Sequence, residues 1–363
     1  MSLPDQLAAT GSRIGHYFSV VAMVPAFVAV AWIAVLLASG AWHGPFTPSR
    51  AVASLAEIGI AQLSAIVAVA ITLGLVINPF QFSATQLLEG YWGGGAIAAR
   101  LAARRSNAYR RRLRWWDQHC RAARNEFIDR ALGPDGTLVT KDLRERQRDA
   151  EDVLDGEQGD PILYLYTISQ HWRQVERQFP PIPGRVLPTR LGNRLRAFED
   201  RAGRQYGLDA IVVAGHLSLL QENRRTAYVR DARQTMDMSI RLCLTGLLLV
   251  PLTAVLLAND GYWVLLASAP YLLAYLAYRG AISAAEAYGN AVTFQIDLGR
   301  FALYQALHVP LPPDASAEQD SNASLMRLLR GSERVNVAYQ HSVVEPAAAN
   351  DEPPLGSPAN PEA

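Results

Sequence analysis

The stretch 75-LVINPFQFSATQLLEGYW-92 joins a charge-free apolar run to the most arginine-rich part of the chain. Its Asn78-Pro79 pair signals a helix end, because the proline ring crowds an α conformation at the residue before it. Ser83 stands three residues before Gln86, the capping-box spacing, with Phe82 and Leu87 at the staple positions. These signals predict a spanning helix that ends near Asn78 and a second helix that begins at Ser83. Leu87, Leu88, Tyr91 and Trp92 suit that second helix to a membrane surface, and Gly93-Gly94-Gly95 ends it as a flexible joint. The alternative is one continuous helix kinked at the proline.

Outward from this junction, four runs contain no charged residue: 18–37, 58–77, 242–258 and 262–278. About 20 residues at 1.5 Å each cross a hydrocarbon core of roughly 30 Å. The last two runs are shorter and use Tyr262, Trp263 and Tyr278 as interfacial aromatics, with Arg241 placed to snorkel. The first run could be a cleaved signal peptide, since Ala38-Ser39-Gly40 resembles a cleavage site. Its length and the lone basic residue Arg13 before it favour an uncleaved span. Two cysteines, Cys120 and Cys243, indicate no disulfide framework.

The formal net charge of +1 hides a local excess. Residues 96–130 hold ten arginines against Asp117, Glu126 and Asp129. Placed just after the second run, that excess reads as the cytoplasmic side. The expected organisation follows: a cytoplasmic N-terminus at 1–17, a hairpin of spans at 18–78, a cytoplasmic helical domain at 79–240 and a second hairpin at 241–278. A cytoplasmic helix at 279–309 and a mostly disordered tail at 310–363 complete it, the tail with one short basic helix at 325–334. The fold class is all-α, a polytopic helical membrane protein of the cell membrane with both termini cytoplasmic.

Within 79–240, three apolar series step by three and four residues. They are Trp116, Cys120, Ala123, Phe127 and Ala131; Leu165, Ile168, Trp172, Val175 and Phe179; and Leu191, Leu195, Phe198, Ala202 and Tyr206. Each is one face of a helix. Thr189 after Pro188 and Asp160 before Pro161 read as N-caps. Residues 141–155 read as a solvated charged helix, 133–136 as a turn and 180–188 as a rigid linker.

Two features carry candidate function. Arg279, Ser283, Glu286, Asn290, Thr293, Asp297 and Arg300 form a narrow polar stripe on an otherwise apolar helix, inverting the usual surface pattern. The stripe is either a solvated, salt-bridged face or a polar path, with Glu286, Asn290, Thr293, Asp297 and Arg300 its lining. The second feature is the cluster Arg110, Arg111, Arg112, Arg114, Trp115 and Trp116. Arginine beside tryptophan near a membrane exit suits anionic headgroups, at about 1 kcal/mol per basic residue. Nucleic acid is a weaker fit to so modest an excess. The seven histidines form no metal-ligand spacing, and no phosphate loop, dinucleotide fingerprint or nucleophile elbow occurs. No catalytic residue, cofactor or metal is expected.

The text from Pro188 to Ala197, continuing as EDRAGRQYGLDAIVV, resembles a group of four-span membrane proteins from high-GC Gram-positive bacteria. NPFQFSATQLLEGYW and YGNAVTFQIDLGRFALYQALHVPLP are similar to the same group, so the resemblance covers most of 58–312. It implies a membrane location and brings no activity or catalytic residue. The order of two spans, a helical region, two spans and a further helical part is also analogous to bestrophin-type anion channels, a likeness of architecture alone. The leading expectation is a membrane-anchored interaction or scaffold protein with a cytoplasmic protein partner. The alternative is a homo-oligomeric ion channel with the polar stripe facing its conduction path.

Overall fold

The computed structural model describes residues 23–132, 151, 163–220, 223–331 and 336–340. All regular structure among them is helical. The helices are α1 (Met23–Ala38), α2 (Pro48–Ala56), α3 (Ile60–Ile77), α4 (Gln81–Glu89), α5 (Ala96–Leu132) and α6 (Leu163–Arg177). They continue with α7 (Arg190–Glu199), α8 (Ala210–Leu220), α9 (Asn223–Leu256), α10 (Ser268–Ala306) and α11 (Ala315–Arg330). Two helical runs, Ile60–Glu89 and Thr226–Leu256, are long and apolar enough to cross a membrane.

The first of these corrects the reading of the Asn78-Pro79 junction. The chain passes from α3 through a 3-10 turn, Asn78–Phe80, directly into α4, and Asn78 keeps helical angles of φ −54° and ψ −45°. Ser83 lies inside α4 and caps nothing. A contact from far along the chain holds the turn: the buried Arg241 guanidinium donates to the side chains of Asn78, at 2.8 Å, and Gln81. The helix ends before the glycine triplet, at Gly90, whose left-handed φ of +105° closes the last turn. There the N–H groups of Gly90 and Tyr91 both donate to the Gln86 carbonyl.

α9 and α10 form the central antiparallel hairpin. α9 has 34 residues and α10 has 39, so each runs from an apolar end into a polar end without a break. The fourth apolar run therefore begins as a 3-10 segment, Gly261–Ala267, and continues past Tyr278 into the polar stripe as one helix. Small residues set the spacing. A Cβ at Gly246 would lie 2.8 Å from the Pro270 carbonyl oxygen, and Ala274, Ala277, Ala281 and Ala284 are buried along α10. At the apolar end α1 joins this hairpin: the Trp32 indole donates to the Thr253 hydroxyl at 2.9 Å, and Phe46 packs on Trp263 at 4.7 Å.

At the polar end α7 and α8 pack across α10. Leu191, Leu195, Met236, Ile240 and Ala281 form one buried cluster, and Val213, Leu217, Val292, Ile296 and Leu303 another. Fully burying such a side chain contributes about 1.5–3 kcal/mol. The predicted apolar faces agree in part with this packing: Cys120, Phe127, Leu165, Leu191 and Leu195 are buried, whereas Ile168 is exposed. α7 ends at Glu199, so that Ala202 and Tyr206 lie in the turn and 3-10 segment beyond it and not on the same helix. Cys120 and Cys243 are both buried, and neither forms a disulfide among the described residues.

The stretch after Val309 departs from expectation. Residues 315–330 form α11, started by Asp314, which accepts from the Ala317 N–H at 2.8 Å, and ended by left-handed Gly331. Leu325 and Met326 bury it in the core, and Asn322, fully buried, accepts from the Tyr304 hydroxyl at 2.6 Å while donating to the Tyr206 carbonyl at 2.8 Å. The polar bonds that seat it are side chain to side chain and side chain to backbone, which leave no periodic mark in the sequence. The expected charged helix at 141–155, apart from Glu151, the Asp160-Pro161 cap, the turn at 133–136 and residues 1–22 and 341–363 lie outside the described residues.

Candidate functional site

The start of α7 organises the polar domain. Thr189 caps it, its hydroxyl accepting from the Gly192 N–H at 3.1 Å while donating to the Glu89 carbonyl at 2.7 Å. The N–H groups of Arg190 and Leu191 donate to the Tyr278 hydroxyl at 3.2 and 3.4 Å. Three of the donors that a helix start leaves unpaired are thus taken by α10 and by the cap. Asn193, fully buried, locks the preceding segment: it accepts from the Leu187 N–H at 2.7 Å and donates to the carbonyls of Leu187 and Thr189 at 2.9 and 2.7 Å.

So anchored, α7 presents Arg190 and Arg194, one turn apart, toward α5, α6 and the beginning of the stripe on α10. A cavity of ≈ 400 Å³ lies between these four helices. Its charged wall is Arg112 from α5, Arg190 and Arg194 from α7, and Arg279 and Glu286 from α10. Glu286 pairs with Arg194 at 2.9 Å. Among the described residues the other three guanidiniums have no carboxylate partner. The Nε–H of Arg194 is buried without an acceptor. Trp116 and His171, with ring centroids 5.3 Å apart, form the aromatic side.

The cavity unites Arg112 and Trp116 of the arginine cluster with Arg279, Ser283 and Glu286 of the polar stripe and leaves the rest of both features elsewhere. Consecutive helical positions rotate by about 100°, so the arginine cluster splits into three faces. Arg112 and Trp116 face the cavity. Arg110 and Arg114 line another of ≈ 380 Å³ beside the proline segment, where Arg110 donates to the Gly184 carbonyl at 3.2 Å. Arg111 and Trp115 line neither, and Trp115 packs on His119 at 4.0 Å.

The polar stripe is divided likewise. Glu286 is the carboxylate of the cavity. Asp297 accepts from the Gln205 amide at 3.3 Å, and Thr293 donates to the Gly289 carbonyl at 2.9 Å. Arg300 pairs with Glu318 of α11 at 2.7 Å and stacks over Tyr206 at 4.1 Å. Asn290 is exposed. Most of the stripe thus binds helices of its own chain. Arg190, Arg194 and His171 were missed in the sequence. The two arginines sit beside Leu191 and Leu195 at the same four-residue step, a signal read only for its apolar half.

A second cavity of ≈ 660 Å³ lies below the α3–α4 turn, between α7, α8 and α9, with Glu89, Glu199, Asp237 and Arg233 in its wall. Burial pushes Glu89, in the last turn of α4 and beyond the apolar run, up to about 7; the Glu199 carboxylate adds to this, and Arg196 and Arg233 oppose it. Burial also raises Glu199 against its partner Arg196, 3.0 Å away. Among the described residues no group of three or more His, Cys, Asp and Glu has the geometry of a metal site. No family model, curated protein or solved structure matches the chain.

Proposed function

We propose that the protein is a four-span integral membrane protein, both termini cytoplasmic, that holds a rigid helical domain at the membrane surface as an interaction platform. The observation that carries the membrane part is α3. Of its 18 charge-free residues only Ala70 and Gly74 are buried, and Ile60, Val69, Leu75 and Val76 are all more than half exposed. A helix apolar on all sides belongs in hydrocarbon or deep in a protein core, and α3 is not in a core. The contacts Trp32–Thr253 and Phe46–Trp263 support a common depth for the first, third and fourth runs. The arginines of α5 favour the cytoplasmic side for the polar domain.

The platform reading draws on the passage of α9 and α10 from apolar to polar ends without a joint, which fixes the domain relative to the spans. Past the cavity, α10 also exposes Phe294 and Leu298 one turn apart, 54% and 69% accessible, a surface suited to a protein contact such as a second copy of the chain. The channel alternative has less support, because Glu286, Asp297 and Arg300 are engaged within one chain; of the expected lining Glu286 and Asn290 are exposed.

Single cysteines at Glu57, Asp260 and Arg111, labelled in intact cells with an impermeant maleimide, test the topology. Labelling at the first two positions and protection of the third until lysis is expected; labelling of Arg111→Cys from outside defeats the orientation. The oligomeric mass in nanodiscs separates the functional readings. A ring of four or more copies makes a shared axial path available, and a monomer or dimer favours the platform.

A further inference from the structure

The ≈ 400 Å³ cavity carries more positive charge than its own structure consumes. Among the described residues four guanidiniums line it and one carboxylate, Glu286, answers them, in a chain whose formal net charge is only +1. Arg112, Arg190 and Arg279 are exposed, so water screens their mutual repulsion, and an anion seated between them is favoured rather than required. A buried N–H without an acceptor is a further cost, about 1–3 kcal/mol, and the Arg194 Nε–H is one. An oxyanion seated between the guanidiniums answers the first of these, the excess of positive charge. The end of α7 is not itself the binder, because the N–H groups of residues 190–192 are already taken.

We infer that this cavity binds a phosphate group, held by Arg112, Arg190 and Arg279, with the Arg194–Glu286 pair as its floor. Planar guanidinium forks match phosphate oxygens two at a time, and a doubly charged group answers the excess better than a single carboxylate does. Ser283 and Gln178 offer neutral donors on the same wall, and Trp116 and His171, their rings tilted by 56° to one another, give an aromatic corner for whatever the phosphate is attached to. Arg279 directly follows Tyr278, the last residue of the fourth apolar run, so the mouth lies where that run meets the polar domain. The phosphate can therefore come from a lipid headgroup or from a soluble phosphomonoester. The site lies wholly within the polar domain and does not depend on the number of spans.

The test uses the full-length protein. Glycerol 3-phosphate is titrated calorimetrically into protein in an uncharged detergent, and native mass spectrometry reads retention of phosphatidic acid against phosphatidylcholine from nanodiscs. The variants are Arg190→Gln and Arg279→Gln, both exposed positions, with Arg111→Gln on another face of α5 as the matched charge control. Ser283→Trp fills the cavity without changing charge, and decides the matter if the arginine variants fold poorly. About tenfold or greater weakening by each cavity variant, with the control unchanged, is the expected result. That pattern with glycerol 3-phosphate identifies a soluble ligand; the pattern with phosphatidic acid alone identifies a headgroup. Binding of neither probe overturns the inference, and so does equal loss in Arg111→Gln, which would make the effect one of general surface charge.

Discussion

The Thr189 hydroxyl and the Glu89 carbonyl oxygen meet at 2.7 Å, joining the start of α7 to the end of α4 across a hundred residues of sequence. Gly192 makes the approach possible: a Cβ there would overlap the same carbonyl and lie 2.9 Å from the Leu187 side chain. Gly192→Ala is expected to lower stability by about 1–3 kcal/mol through forced separation of the helices. The thermal midpoint in detergent measures it, and an unchanged midpoint would show that the two helices are not held this closely.

Asn193 satisfies three backbone groups from full burial. Asn193→Ala strands the Leu187 N–H and carbonyl and takes one of two donors from the Thr189 carbonyl, which keeps the backbone N–H of residue 193, at a cost of about 2–4 kcal/mol. Asn290→Ala, at an exposed position of α10, should stay within about 0.5 kcal/mol. Chemical denaturation of the two variants side by side gives the comparison.

The raised Glu89 gives a pH dependence with a definite sign. Its usual value is 4.5 and its folded value about 7. Between these the folded protein holds a proton that the unfolded chain has released, so stability falls as pH rises through this window and levels off above it. Glu199 acts in the same direction. Glu89→Gln should flatten the melting temperature between pH 5 and about 7 relative to wild type. An equally steep profile in the variant would assign the effect elsewhere.

Tyr304→Phe removes the hydroxyl that donates to Asn322 and leaves a buried amide oxygen without that donor. The cost, about 1–2 kcal/mol, falls on the docking of α11. Limited trypsin digestion should cut at Arg327 and Arg330 faster in the variant, with cleavage elsewhere unchanged. Equal cutting rates would mean that Leu325 and Met326 alone hold the helix.

Local sequence carried the helical faces because burial on one side of a helix writes a three- and four-residue rhythm. It carried the Thr189 cap for a similar reason, since the capping side chain is adjacent to what it caps. The Asn78-Pro79 junction misled because the proline rule is local, whereas the turn is held by Arg241, more than 160 residues away. Only the end of α11 fell within the expected helix at 325–334; residues 315–324 were missed because Asp314 and Gly331, its start and stop, flank a polar helix whose buried residues are few, and the bonds of Asn322 and Glu318 are to distant partners. The arginine-lined cavity was half legible. Arg112, Trp116 and Glu286 had been singled out for separate roles, and nothing in their spacing says that α7 brings two more arginines between them.

The unbroken course of α10 makes it a lever arm. Its 39 residues extend about 58 Å, so each degree of tilt at the Ser268 end displaces the Ala306 end by about 1 Å. Arg279 and Glu286 lie partway along that arm, while α5 and α6, which close the other side of the cavity, belong to a different pair of helices. A tilt of this arm against α5 and α6 therefore changes the cavity's width. The same geometry that collects the arginines ties their spacing to the angle of α10.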